Sequence, residues 1–129
     1  MLQERSPTED HHLHQPPAVA GGFVVLPRKE TTVPTYETLP RFAADLQHLT
    51  PAQRRRFRRA VTVFVDDLRT RQHFRASLRI KRVHGAPGVF ELTWDGNGRA
   101  TWSYGPEIRP GKQHIIWRRI GSHAILAGP

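Results

Sequence analysis

The sequence contains no cysteine among its 129 residues. That excludes a disulfide framework, a thiolate metal site and a cysteine nucleophile, and it suits a reducing cytoplasm. Long apolar runs are missing as well. The longest, such as Phe23-Val24-Val25-Leu26, have four residues, against about 20 for a membrane helix, so no membrane is expected among its partners. The opening residues, MLQERSPTED, lack a basic region followed by an apolar one, and no secretory signal is read there. Hydrophobic residues are sparse at 37%, while glycine and proline number 10 and 11. One folded domain with a loose appendage is the expected plan.

Acidic side chains are also scarce, 11 against 20 of Lys and Arg, for a formal net charge of +9. The imbalance is local. Residues 1–34 carry three basic and four acidic side chains, and residues 35–129 carry seventeen and seven. The positive charge thus belongs to the domain rather than to a tail. It points to a polyanionic partner, with plain solubility as the alternative.

Residues 1–34 read as a disordered or loosely ordered N-terminal extension. They are polar, rich in turn formers and without apolar period through residue 22. His11, His12 and His14 have no scaffold, so no metal site is expected. Residues 23–34 carry a short β-prone run that fits either an added strand or a linker. From Thr35 the pattern sharpens into a domain over 35–129. TYETL is β-prone, and Pro40 starts a helix of roughly 40–49 with Phe42, Leu46 and Leu49 on one side. TPAQ then begins a second helix, with Thr50 capping, Pro51 in the first position and Gln53 completing a capping box. Phe57, Ala60, Val61, Phe64, Val65 and Leu68 form its apolar stripe to about Arg69. Strands are expected at SLRIKRVH, GVFELTW, RATWSY and QHIIWRRI, with a break at Gly121 and a brief continuation at SHAIL. The order defines an α+β fold, a two-helix hairpin packed on an antiparallel sheet.

Period two puts Phe90, Leu92 and Trp94 on one face of their strand, and Ala100, Trp102 and Tyr104 on one face of the next. These build the core. The other face presents Glu91, Thr93, Arg99, Thr101 and Ser103, a solvated surface unless it has a function. IIWRRI alternates poorly, which calls for a strand buried on both faces or a bulge; one of Arg118 and Arg119 should join the open face. The second helix carries arginines near its N-terminus and Asp66 and Asp67 toward its C-terminus, against its dipole. Arg55 and Arg59 form a basic ridge opposite its apolar stripe.

Over about residues 35–126 the chain resembles the RelE/ParE superfamily of bacterial toxins. The resemblance rests on TYETLPRFAADLQHLTPAQRRRFRRAVTVFVDDL, then LRIKRVHGAPGVFELTWDGNGRATW, then IIWRRIGSHAIL, in that order. It implies a RelE-like β-α-α-β-β-β(-β) fold. In the mRNA-cleaving branch it implies a ribosome-dependent endoribonuclease that works without a metal or other cofactor and is neutralised by an antitoxin. The 2′-hydroxyl loses its proton to a base, attacks the adjacent phosphorus, and an acid protonates the departing 5′-oxygen. Arg99 matches the family's third-strand arginine, a clamp on the phosphate. His123 falls near the family's Arg or His after the last strand and is the acid–base candidate. Arg118 or Arg119 assists.

Lysines that some ribonuclease members carry on the outward face of the second strand are replaced here by Glu91 and Thr93. Glu91 is the candidate base if its surroundings raise its pKa, and otherwise a partner for Arg99. Lys81, Arg82, Arg118, Arg55 and Arg59 are the expected RNA contacts. The family's terminal tyrosine has no counterpart. The rival expectations are a non-catalytic member of the superfamily, either a DNA gyrase inhibitor or an RNA-binding protein, and a module whose basic ridge meets an acidic protein.

Overall fold

The computed structural model describes residues 3–4, 18–20, 23–25, 33–70 and 73–129. The expectation for residues 1–34, including the histidines at 11, 12 and 14, falls mostly outside that set. Within it lie three short backbone strands, β1 (Gln3–Glu4), β2 (Ala18–Ala20) and β3 (Phe23–Val25). The domain then runs β4 (Thr35–Thr38), α1 (Pro40–Gln47), α2 (Pro51–Thr70), β5 (Lys81–Arg82), β6 (Val89–Thr93), β7 (Gly98–Arg109) and β8 (Lys112–Ser122). The sheet order is β1-β4-β8-β7-β6-β5. β5 to β8 are consecutive antiparallel neighbours. β4 joins β8 in parallel, so the chain leaves the sheet through both helices before returning. This is the α+β arrangement expected from the sequence, but the sheet is mixed rather than antiparallel, because β4 adds to β8 in parallel.

The second helix begins as its sequence dictates. The Gln53 amide donates to Thr50 Oγ1 at 3.1 Å, and the Thr50 amide donates to Gln53 Oε1 at 2.8 Å, which satisfies two otherwise orphaned donors. Its stripe of Phe57, Val61, Phe64 and Val65 meets Leu92, Trp94, Ala100, Trp102, Ile115, Trp117 and Ile120 in one buried cluster. Each large side chain buried there contributes roughly 1.5–3 kcal/mol. The Phe64 ring meets Trp102 edge-on with centroids 4.9 Å apart. At the far end Asp67 is buried, and Arg75 closes on it with its backbone amide and its guanidinium. The same guanidinium reaches Asp66 at 2.9 Å. The reversed charge at this helix end is therefore answered from the following loop.

Several boundaries differ from expectation: the strand expected at RATWSY runs on to Arg109, and the first helix ends at Gln47 rather than near 49. SLRIKRVH is not one strand. Ala76–Leu78 makes a 3-10 turn that sends Leu78 into the core, and Arg79, at φ 51°, redirects the backbone, so only Lys81–Arg82 is extended. Gly121 does not break β8; it sits opposite Arg99 in the ladder. SHAIL is not a strand either. Ser122 accepts from the Ala124 amide and opens a 3-10 turn over His123–Ala127. A Cβ on Gly121 would stand 3.0 Å from Ile125 Cγ2, so the missing side chain is what admits the buried Ile125.

Candidate functional site

The site lies on the face of the sheet that the helices leave uncovered, and the ladder register builds it. One cross-strand row holds Thr93, Arg99 and Gly121. The next holds Lys81, Glu91, Thr101 and Arg119. Because side chains alternate along a strand, adjacent rows two residues apart share a face.

The register slips by one residue between Thr101 and Trp102, whose partners are Arg119 and Trp117. Arg118 is the extra residue. The bulge explains the poor alternation of IIWRRI, since it lets Ile115, Trp117 and Ile120 all enter the core while Arg118 and Arg119 both stay out of it. Two arginines rather than one thus reach the outer face.

Arg99, Arg118 and Arg119 each have defined neighbours there. Arg99 Nε stands 3.5 Å from Glu91 Oε1, and its Nη1 donates to the Gly96 and Gly98 carbonyls. That ion pair is too long for a hydrogen bond, and Glu91 Oε1 is buried without a hydrogen-bond partner. Arg119 donates to Asp45 of α1, Nε to Oδ2 at 2.7 Å and Nη2 to Oδ1 at 3.1 Å. The Ile120 amide adds a third bond to that carboxylate. Partial burial pushes the Asp45 carboxyl up, but the Arg119 and Ile120 hydrogen bonds outweigh it and hold the group below its usual range. The hydrogen bond to Asp45 raises Arg119 in turn. Asp45 stands where the ladder needs it. β4 ends opposite Trp117, so among the described residues no strand reaches the Ile120 amide on that side.

The face is not the open surface expected. Glu91 is 5% exposed and Thr101 0%. The segment after β8 folds back against it: Thr101 Oγ1 donates to the Pro129 oxygen at 3.1 Å, Arg118 Nε to the same oxygen at 3.2 Å, and Arg119 Nη1 to the Gly128 oxygen at 3.0 Å. His123 is exposed and opens the 3-10 turn of that segment. The preceding residue, Ser122, pairs with Gly98, so His123 follows directly on the end of the ladder beside Arg99.

Lys81 and Arg82 are exposed on the edge strand β5, with Lys81 opposite Glu91. Arg82 lies against Phe90 on the other face, 6.0 Å from its ring centre. Arg55 and Arg59 are exposed on α2, in the helical layer, and Arg59 lines a cleft that also takes in Thr93 and Trp94 at the sheet edge. The structure therefore gathers Arg99, Glu91, Lys81, Arg118 and Arg119 on one face with His123 at its end, and leaves Arg55 and Arg59 in the helical layer.

One cluster on the same face has no counterpart in the sequence reading. His114 is buried, with Nδ1 2.8 Å from Thr35 Oγ1 and Nε2 2.8 Å from Glu37 Oε1. The triad fastens β4 to β8. Its trace in the sequence is a lone histidine in an apolar strand, and its partners lie 79 and 77 residues away.

The sheet, the helical hairpin on one face and the cationic row on the other define a RelE-like α+β fold. Among solved structures the chain is similar to the YafQ toxin of E. coli in the DinJ-YafQ toxin–antitoxin complex. There the TM-score is 0.53 at 15% identity, over 74% of this chain and 98% of that one. YafQ from E. coli strain BL21(DE3) gives 0.53 at 14% identity, over 74% and 99%. At such identity the likeness is one of fold. No protein-family model and no curated protein matches the chain.

Proposed function

We propose that this protein is the toxin of a toxin–antitoxin pair and acts as an endoribonuclease on ribosome-bound mRNA. The observation that carries the reading is the convergence of Arg99, Arg118, Lys81 and Glu91 on one sheet face, with His123 where that face ends. YafQ, whose fold the chain shares, is a toxin crystallised with an antitoxin, and the same class of partner is proposed here.

In this reading Arg99 and Arg118 hold the phosphoryl oxygens of the scissile link and stabilise the charge that grows on them. Glu91 takes the 2′-hydroxyl proton, and His123 protonates the departing 5′-oxygen. Arg119, already engaged with Asp45, fixes the frame around its neighbour. A second reading has a specific observation behind it. The 3.5 Å approach of Arg99 to the buried Glu91 also suits a face that binds nucleic acid, or inhibits gyrase, without cutting RNA.

Mapping of mRNA 5′ ends after expression of the chain distinguishes the two. New in-frame ends, lost in both Arg99→Ala and His123→Ala, support the nuclease. Toxicity that survives both substitutions without new ends supports the non-cleaving reading and removes the first.

A further inference from the structure

The segment that covers the outer face is held there by side-chain donors of the sheet. Thr101 Oγ1, Arg118 Nε and Arg119 Nη1 converge on two successive backbone oxygens, those of Gly128 and Pro129. Arg41 of α1 stands beside them, its Nη2 3.7 Å from where a Cβ of Gly128 would lie. Thr101 is fully buried, so its hydroxyl is aimed into the site rather than at solvent. The guanidinium groups are donors only, and a phosphodiester, which shares one negative charge over two oxygens on one phosphorus, accepts from the same groups with charge-assisted bonds.

The segment is held from behind. Ile125 is buried against Gly121, and the Gly128 amide returns to the Ile125 carbonyl at 3.0 Å. Residues 127–129 are therefore a tethered occupant, with the high local concentration a short tether confers. Their own contacts can break while the Ile125 anchor stays seated.

We propose that residues 127–129 occupy the seat of an RNA phosphate, so that RNA binds this face only by displacing them and the protein restrains its own activity. The proposal rests on the outer face being the RNA surface; it does not require that the RNA be cut.

The probe is a fluorescein-labelled hexanucleotide with 2′-O-methyl sugars, which lacks the attacking hydroxyl. A chain ending at Leu126 keeps His123 and Ile125. It is expected to bind the probe about tenfold tighter than the full chain, the worth of roughly one hydrogen bond to a charged group. Arg118→Gln in the shortened chain should abolish that gain. Equal affinities, or no binding by either chain, overturn the proposal. A second measurement leaves the chain intact: saturating probe should move the Gly128 amide resonance toward its free-chain position. Bound probe with that resonance unmoved also overturns it. Release of the segment without mRNA cleavage would remove the nuclease reading and leave this one standing, and cleavage with no effect of shortening would do the reverse.

Discussion

Arg119 and Asp45 form a two-point clasp, at 2.7 and 3.1 Å, between the last strand and the first helix. They are 74 residues apart in the chain, and the pair locks the helical hairpin to the bulged end of β8.

Asp45→Asn should lower stability by about 1–2 kcal/mol near neutral pH, since the bonds are charge-assisted but partly open to solvent. The Asp45 carboxyl is held below its usual value in the folded state. Its contribution is therefore complete above the unfolded value of about 3.9 and is lost as pH falls through the folded one. Urea unfolding from pH 7 to pH 3 should show the gap between the two proteins closing below about pH 4. A gap that stays constant would mean the carboxylate charge plays no part.

Thr50→Ala removes one half of a reciprocal cap and leaves the Gln53 amide without its acceptor. A loss of about 1 kcal/mol is expected. Thermal unfolding read by circular dichroism measures it; an unchanged Tm would place the start of α2 under tertiary packing rather than its cap.

Gly98→Ala should destabilise the hairpin by about 1–3 kcal/mol. A Cβ at Gly98 would come within 2.5 Å of the Trp94 ring, and that ring is buried against Phe57. Gly96→Ala, where nothing lies within 4 Å, is the matched control. Equal denaturant midpoints for the two variants would contradict the packing described.

Arg99→Ala should reduce the slope of log affinity against log salt for a single-stranded oligonucleotide by about 0.7, the loss of one phosphate contact. Arg55→Ala, in the helical layer, should leave the slope unchanged. If Arg55 carries the salt dependence instead, RNA meets the helices and the sheet face has another use.

Periodic features were legible in the sequence. The capping box announced α2, and alternation around the Asp95–Gly98 turn assigned Leu92, Trp94, Ala100 and Trp102 to the core. What stayed hidden depends on distant neighbours. Nothing local shows that Arg119 meets Asp45, that Arg75 closes on Asp67, or that His114 lies between Thr35 and Glu37. The poor alternation of IIWRRI signalled an irregularity, but only pairing with β7 locates it at Arg118. SHAIL looks β-prone by composition and curls because Ser122 caps it and Gly121 leaves room for Ile125.

The extra residue at Arg118 has a consequence for how this chain tolerates changes of length. Strand phase is counted in whole residues, so loss of Arg118 alone removes the bulge and returns Ile115, Trp117 and Ile120 to one regular alternation, all facing the helices. Loss of Ile116 instead puts Ile115 and Trp117 on opposite faces. A single-codon deletion at Arg118 should therefore still fold, whereas one at Ile116 should not.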